Sequence, residues 1–239
     1  MVAPTDAGTR TEKVCVTSQV TWTLDWSSFV DEIDYHDPEV AIADGFADVV
    51  LPSAGLSILA VAPDVAELVL STRYERVWTS TRPVVAGEPL ETRITIEGTT
   101  AEAQFCDRLG VPVVTERFTH ASAENCAVDP DRSVFRTQPF DLTRQRAMAW
   151  GLALLGGHAA WAEQSDHVTA AALTYVLPSL IGARSIITGP GAARQIRSVT
   201  CLPLGKVQLE DRLSAVEAGD NTVAVCSGDR PIARVAVHF

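Results

Sequence analysis

The chain has 239 residues, of which 46% are hydrophobic and 21% charged, a balance typical of a folded globular protein with one large domain or two small ones. Its formal net charge of -11 argues against a non-specific nucleic-acid-binding protein, which would need a basic face. The five cysteines contain no C-x-x-C pair, so we expect neither a zinc site nor a disulfide framework, and no metal or cofactor.

The N-terminal sequence predicts a loose tail and then a strand. The loose tail covers residues 1 to 12. The stretch from Met1 to Lys13 is polar and lacks the apolar core of a signal peptide, and no apolar run in the chain reaches the roughly 20 residues of a membrane helix. We therefore expect a cytoplasmic protein that does not bind membranes. Val20, Trp22 and Leu24 alternate at period two, which predicts a half-buried strand from Val16 to Leu24.

An acid-and-imidazole loop follows, and a helix signal comes directly after it. Asp31, Asp34 and His36 stand within six residues of one another. Asp37 and Pro38 then predict the first turn of a short helix, because an Asp side chain can cap free amides and Pro loses no hydrogen bond there. The same loop is also explained as a solvated acidic segment.

The segment Ser53 to Ala62 is small and apolar, with Leu56, Leu59 and Ala60 at helical spacing. An almost uncharged helix of this kind should be buried on most sides. We expect Pro63 and Asp64 to end it.

From residue 66 to residue 120 the pattern changes to strands separated by glycine-containing turns, which predicts an antiparallel meander around the buried helix. The predicted strands are Leu68 to Trp78, Leu90 to Glu97, Ala101 to Arg108 and Val111 to His120. Residues 121–139 are polar, contain two prolines and are interpreted as a linker.

The second half predicts helices and then strands again. Thr143 to Gln164 should be largely helical, and Val176-Leu177-Pro178-Ser179 should lead into a short buried helix from Leu180 to Ile187. The predicted strands are Arg194 to Leu202, Val207 to Val216, Thr222 to Cys226 and Ile232 to Phe239.

Several residues recur at a nearly fixed interval, which is typical of an internal duplication. The tetrapeptide V-L-P-S occurs twice, 126 residues apart. Matching pairs 119 or 120 residues apart are Pro83 and Pro203, Cys106 and Cys226, and Pro112 and Pro231. We therefore predict two tandem units of about 120 residues: an N-terminal unit over 1–120, the linker over 121–139 and a C-terminal unit over 140–239.

A unit with one buried helix and a long meander resembles the hot-dog fold, and the first half is similar to the MaoC-like family of R-specific enoyl-thioester hydratases and dehydratases. Asp31 and His36 keep the D-x4-H spacing of that family, and the run Asp37-Pro38-Glu39-Val40-Ala41 follows, then Gly45-Phe46. The segment from Arg82 to Glu88 is similar to the family's P-V-x-x-G-D turn. The resemblance implies an α+β protein, a double hot-dog in which two sheets each wrap a central helix.

The resemblance also implies a chemistry. Asp31 and His36 would hold one water between them for syn hydration or dehydration of an enoyl thioester, with Asp34 as a fallback acid. The amides of Ala54 and Gly55, at the helix start, would bind the thioester oxygen where negative charge develops. Two family features are absent, a Gly before the Asp and Asn-Pro before the His.

Two further groups of residues are candidate substrate contacts. Trp22 and Trp26 could line an acyl tunnel, although tryptophans at such positions also form ordinary core. Arg73, Arg76 and Arg82 could form a basic rim for a phosphopantetheine or nucleotide phosphate, or could serve only solubility.

The leading hypothesis is therefore a hydratase or dehydratase of an acyl thioester carried by coenzyme A or an acyl carrier protein. A thioesterase on the same fold is less favoured, because the predicted buried helix carries no carboxylate. The third hypothesis is a divergent cyclase, isomerase or binding protein for a bulky hydrophobic, polyketide-like intermediate. The second half, with Ala162 five residues before His167, should be catalytically silent, and the chain should be a monomeric pseudo-dimer or a homodimer.

Overall fold

The computed structural model describes residues 10–15, 38–43, 57–60, 63–71, 73–85, 88–121, 140–143, 161–186, 196–208 and 210–239. The strands are β1 Arg10–Cys15, β2 Tyr74–Ser80, β3 Pro89–Glu97, β4 Thr100–Cys106, β5 Pro112–His120, β6 Phe140–Asp141, β7 Ser198–Pro203, β8 Arg212–Gly219, β9 Thr222–Ser227 and β10 Arg230–His238. The helices are α1 Pro38–Ala43, a 3-10 helix at Ile58–Ala60, α2 Pro63–Ser71 and α3 Trp161–Ile186.

The strands form one ten-stranded antiparallel sheet in the order β1-β3-β4-β5-β2-β7-β10-β9-β8-β6. The first five strands of this order come from the first half of the chain and the last five from the second half. The two halves follow the same order, read outward from the central pair of β2 and β7. Antiparallel pairing of β2 with β7, for example Arg76 opposite Cys201, joins them.

Matching bulges occur in the two halves. In the first half Cys106 of β4 pairs with Pro112 of β5 beside a register shift. In the second half Cys226 of β9 pairs with Pro231 of β10, again beside a register shift. Two of the recurring residue pairs in the sequence thus occupy equivalent places in the mirrored strand order.

In the strands of the first meander, buried residues alternate with partly exposed ones, which is the pattern from which strands were predicted. In β2, Tyr74, Arg76 and Trp78 are buried while the residues between them are partly exposed. The predictions for β3, β4 and β5 are confirmed within three residues at each end, as are those for β9 and β10. The strand predicted from Val207 to Val216 is observed as β8, which begins five residues later, at Arg212, and ends at Gly219.

The prediction of a loose tail over residues 1 to 12 is wrong for its last residues. Residues 10–15 form the edge strand β1, which pairs with β3 from Arg10 opposite Ile94 to Cys15 opposite Pro89. Polar residues are tolerated at a sheet edge, so low hydrophobicity did not indicate this strand. The predicted strand from Val16 to Leu24 lies outside the described residues.

The helical segment after residue 53 differs from its prediction. Ser57, Ile58 and Leu59 are buried as expected, but Ile58–Ala60 is a 3-10 helix and Pro63 begins α2 instead of ending a helix. Proline fits the first helical turn because it has no amide hydrogen to leave unbonded. The predicted strand from Leu68 is therefore wrong up to Ser71.

The longest helix, α3, contains the second V-L-P-S sequence in its interior. We expected this tetrapeptide to precede a separate helix, but α3 continues through Pro178 to Ile186. An internal proline costs about 3 kcal/mol, yet the helix is buried on all sides here, from Tyr175 to Ser179. Packing against α2 and against strands β7 to β10 outweighs that cost.

The main core lies between the sheet and the helices α2 and α3. It joins apolar residues of both halves, including Val69 of α2, Phe118 of β5, Leu177 of α3 and Val235 of β10. None of the helices in the described part of the chain is both long and apolar enough to cross a membrane.

Candidate functional site

The proposed water-binding pair lies outside the described residues, and so do most of the predicted substrate contacts. These residues are Asp31, Asp34, His36, Ala54, Gly55, Trp22 and Trp26. The structure does describe the elements that flank them. Helix α1 begins at Pro38, as predicted from Asp37 and Pro38, and the 3-10 helix begins three residues after Gly55.

The three predicted arginines do not come together in one site. Arg73 precedes β2 and is exposed, whereas Arg82 follows β2 at its other end. Nine residues of extended chain separate them by roughly 30 Å. The expectation of a solvent-exposed rim is wrong for Arg76, because its side chain is fully buried between them.

Arg82 forms an exposed ion pair with Glu88, which closes the turn between β2 and β3. Its guanidinium donates hydrogen bonds to both carboxylate oxygens of Glu88 and also to the carbonyl oxygen of Pro83. The hydrogen bond from Arg82 lowers the pKa of Glu88, and the same contact raises the pKa of Arg82. The partial neutralisation by Glu88 makes Arg82 a weaker anion-binding residue than its sequence alone indicates.

A cluster of buried polar and charged side chains is centred on the carboxylate of Glu116 in β5. Arg76 Nε donates to its Oε1 at 2.6 Å, and neither side chain is exposed. Ser57 Oγ donates to the same oxygen at 2.7 Å, and the Ile58 amide donates to Oε2 at 2.5 Å. Three donors therefore hold this carboxylate, as a buried charge requires.

Glu116 acts on the backbone where the 3-10 helix begins. The free amides of a helix start are normally capped by a local side chain. Here the cap comes from β5, 58 residues away from Ile58. Ser57 Oγ also accepts a hydrogen bond from the Leu59 amide at 3.3 Å. The start of the 3-10 helix is thereby fixed to the middle of the sheet.

Arg76 extends the cluster into the second half of the chain. Its Nη1 donates to Ser179 Oγ of α3 at 3.0 Å, and this hydroxyl donates to the Tyr175 carbonyl at 2.6 Å. Tyr175 Oη in turn donates to the carbonyl oxygen of Val69 in α2 at 3.1 Å, and burial raises the pKa of Tyr175. One hydrogen-bonded network thus joins α2, α3 and the central strands.

Local sequence patterns did not reveal the role of Glu116, although a signal was present. Tyr74, Arg76 and Trp78 share one face of β2, and Val114, Glu116 and Phe118 share one face of β5. Opposite charges at apolar positions of two strands predict a buried pair when those strands are neighbours. Only the sheet order makes them neighbours, with Arg76 opposite Phe118.

Two described carboxylates near the helices, those of Glu67 and Glu116, are unsuited to act as a thioesterase base. Glu67 lies on α2 itself but is exposed. Glu116 is buried, yet it accepts hydrogen bonds from Arg76, Ser57 and Ile58 and is committed to them. Both observations agree with the low weight given to thioester hydrolysis by a helix carboxylate.

No family model matches the sequence, and no curated protein matches it at a significant level. Solved structures do match. A MaoC-like dehydratase is 14% identical, with a TM-score of 0.62 over 98% of this chain and 98% of that chain. A MaoC-like dehydratase from Phytophthora capsici is 11% identical, with a TM-score of 0.52 over 98% and 96%.

HtdX from Mycobacterium tuberculosis is 14% identical, with a TM-score of 0.51 over 96% of this chain and 98% of that chain. Identities this low show similarity of fold. The match extends over both halves in each case. The chain therefore has the hot-dog fold of the MaoC-like dehydratases, as the resemblance in its sequence implied.

Proposed function

We propose that the chain is a hydratase or dehydratase of an acyl thioester, in which Asp31 and His36 activate or release water. The observation that carries this proposal is the D-x4-H spacing on a chain whose fold is that of MaoC-like dehydratases. Helix α1, which begins at Pro38, follows His36 closely in the chain, although one residue of the family's spacing before the D-P-E run is missing.

The two halves form a double hot-dog in this proposal. The mirrored strand order and the matching bulges at Pro112 and Pro231 support two copies of one unit joined at β2 and β7. A joined pair leaves fewer open sheet edges than two separate units. Residues 1–120 and 140–239 are then an internal dimer, in which only the first unit keeps the D-x4-H pair.

The chemistry follows from the groups that the first unit would bring together. A carboxylate and an imidazole holding one water can pass its proton and hydroxide to the two carbons of an enoyl group on the same face. Amides of Ala54 and Gly55 would hold the thioester oxygen as it gains negative charge. Coenzyme A or an acyl carrier protein would deliver the acyl group.

The test is a panel of 2-enoyl and 3-hydroxyacyl thioesters of several chain lengths, followed by the ultraviolet absorbance of the conjugated enoyl group. The native protein should interconvert at least one pair, and Asp31→Asn and His36→Ala should each lower kcat by at least 100-fold. His238→Ala, an exposed histidine at the end of β10, is the control and should leave the rate unchanged. Asp34→Asn tests the fallback acid.

A second candidate function is supported by the two departures from the family motif. Val30 stands where a Gly is usual, and Ile33-Asp34-Tyr35 replace the usual residues before His36. A cyclase, isomerase or binding protein for a bulky hydrophobic intermediate needs no aligned water. If no thioester in the panel reacts while a polyketide-like compound binds or rearranges, this second function replaces the first.

A further inference from the structure

The position of Glu116 in β5 corresponds to that of Val235 in β10. Both strands pass a bulge next to a proline, Pro112 in one strand and Pro231 in the other. The same step of 119 residues relates the two prolines and relates Glu116 to Val235. Where the first half places a carboxylate, the second half therefore places an apolar side chain.

The position of Arg76 in β2 corresponds to that of Val199 in β7. Arg76 pairs with Phe118 across the sheet, and Val199 pairs with Val237. Phe118 and Val237 are again 119 residues apart. Where the first half has the ion pair of Arg76 and Glu116, the second half thus has two valines. The strand arrangement at this place therefore does not require the charges.

The two halves also hold their buried helical segments in different ways. In the second half Gly182 of α3 lies directly against Val235, so the residue that corresponds to Glu116 makes an apolar contact with its helix. In the first half Glu116 holds Ser57 and Ile58 through directed hydrogen bonds. Directed bonds fix the position and the orientation of a backbone segment more closely than apolar contact does.

We propose that Arg76 and Glu116 are positioning residues that fix the start of the buried helical segment for substrate binding. This inference rests on the proposed function, in which the amides of Ala54 and Gly55 bind the thioester oxygen. Those amides precede Ser57 by only three and two residues. Oxyanion donors contribute most when they are held in place before the reaction, and small displacements lower the rate strongly.

The second half has a defined part in this arrangement. Glu116 alone would be a buried unpaired charge, so Arg76 is needed to balance it. Ser179 of α3 fixes the far end of that guanidinium. The silent unit thereby supports the site of the first unit through the buried hydrogen bond of Ser179 as well as through apolar packing.

The decisive variant is the double substitution Arg76→Val with Glu116→Val, which copies the second half into the first. Removing both charges together leaves no unpaired buried charge, so the protein should fold. We expect kcat to fall at least tenfold with KM changed less than threefold, and the Ile58 amide to exchange its hydrogen faster. An unchanged kcat in the folded double variant overturns the proposal.

If the double variant fails to fold, the positioning role is tested with a matched pair of serine variants. Ser57→Ala removes one hydroxyl donor to Glu116, and Ser185→Ala removes an equally buried hydroxyl that donates to the Gly182 carbonyl outside the network. Both should lower the melting temperature by similar small amounts. Only Ser57→Ala should lower kcat, by about threefold to tenfold, and equal kcat values contradict the positioning role.

Failure of the proposed function has a different signature. If the native protein converts no thioester, the hydratase proposal fails. The positioning role is then tested by the rates of amide hydrogen exchange at Ile58 and Leu59. Faster exchange at the Ile58 and Leu59 amides in the double or Ser57→Ala variant then supports it. Unchanged exchange at both amides overturns it.

Discussion

Gly182 of α3 and Val235 of β10 approach so closely that no side chain fits between them. A Cβ placed on Gly182 would lie 2.5 Å from both Cβ and Cγ1 of Val235 and 2.8 Å from Cγ2. Because the Val235 Cβ is fixed to the strand backbone, a rotamer change cannot relieve this overlap. The glycine therefore sets the distance between α3 and the sheet.

Gly182→Ala should destabilise the protein although alanine is the better helix former. Helix propensity favours Ala over Gly by about 1 kcal/mol, whereas overpacking a core costs about 1–3 kcal/mol. With three atoms closer than 3.0 Å, we expect the overpacking to prevail and the free energy of unfolding to fall by about 1–2 kcal/mol. Urea unfolding measures the difference.

Gly205→Ala is the matched control, since the nearest atom to its added Cβ, at 3.3 Å, ends the flexible side chain of Arg230. It should change the free energy of unfolding by less than about 0.5 kcal/mol. A Gly182→Ala variant more stable than the native protein would contradict the close approach.

Thr92→Val should stabilise the protein. Thr92 is fully buried in β3, and its hydroxyl has no hydrogen-bond partner among the residues that the structure describes. A buried unsatisfied hydroxyl costs about 1–3 kcal/mol, and valine has nearly the same shape and favours strands. We expect a gain of about 1 kcal/mol in the free energy of unfolding, measured in guanidinium chloride. Thr95→Val, partly exposed on the other face of β3, should change it little.

The ion pair of Arg82 and Glu88 should make stability depend on pH in the acid range. The folded protein lowers the pKa of Glu88 from its ordinary value of 4.5, so the unfolded state binds the proton more readily. The contribution is then complete above pH 4.5 and is lost as the pH falls through the folded pKa. It should be under about 1 kcal/mol, because Arg82 is 41% exposed.

The measurement compares native protein with Glu88→Gln by urea unfolding between pH 7 and pH 3. Their difference in the free energy of unfolding should shrink on acidification. Glu97→Gln, at the exposed end of β3, serves as the control for loss of a carboxylate. A difference that grows at low pH would show that Glu88 has the opposite pKa shift.

Cys201 should resist alkylation in the folded protein. Its thiol is buried in β7, and desolvation raises its pKa to about 11. Because the thiolate is the nucleophile, iodoacetamide at pH 8 should leave Cys201 unmodified, as read by peptide mass spectrometry. Modification should appear only with added denaturant. Rapid labelling of the native protein would mean that this strand opens easily.

The sequence predicted the strands of the first meander well because they are half-buried, so burial leaves a period-two pattern. The strands β3, β4 and β5 show it directly, and glycine turns mark their ends. The edge strand β1 and the helix α2 were missed. The strand β1 was missed because its sequence is polar, as a sheet edge allows. The helix α2 was missed because Pro63 at its start also fits the end of a preceding helix.

The candidate site could be predicted only where its residues are close together in the chain. The spacing of Asp31 and His36 and the helix start at Pro38 are local features, and the sequence alone indicated them. The fold family was also indicated by local motifs and is confirmed by solved structures. Local patterns predict such features because residues close together in the chain have a defined spatial relation within a helix or a strand.

Tertiary structure alone decided what the charged residues at buried positions do. Arg76 and Glu116 are 40 residues apart in the chain, and Ser179 is a further 63 residues away. Their contact depends on β2 lying between β5 and β7, an order that no local pattern specifies. The sequence by itself predicted an α+β chain with an internal duplication and a candidate acid-and-imidazole loop, whereas sheet order determined which distant side chains share one buried network.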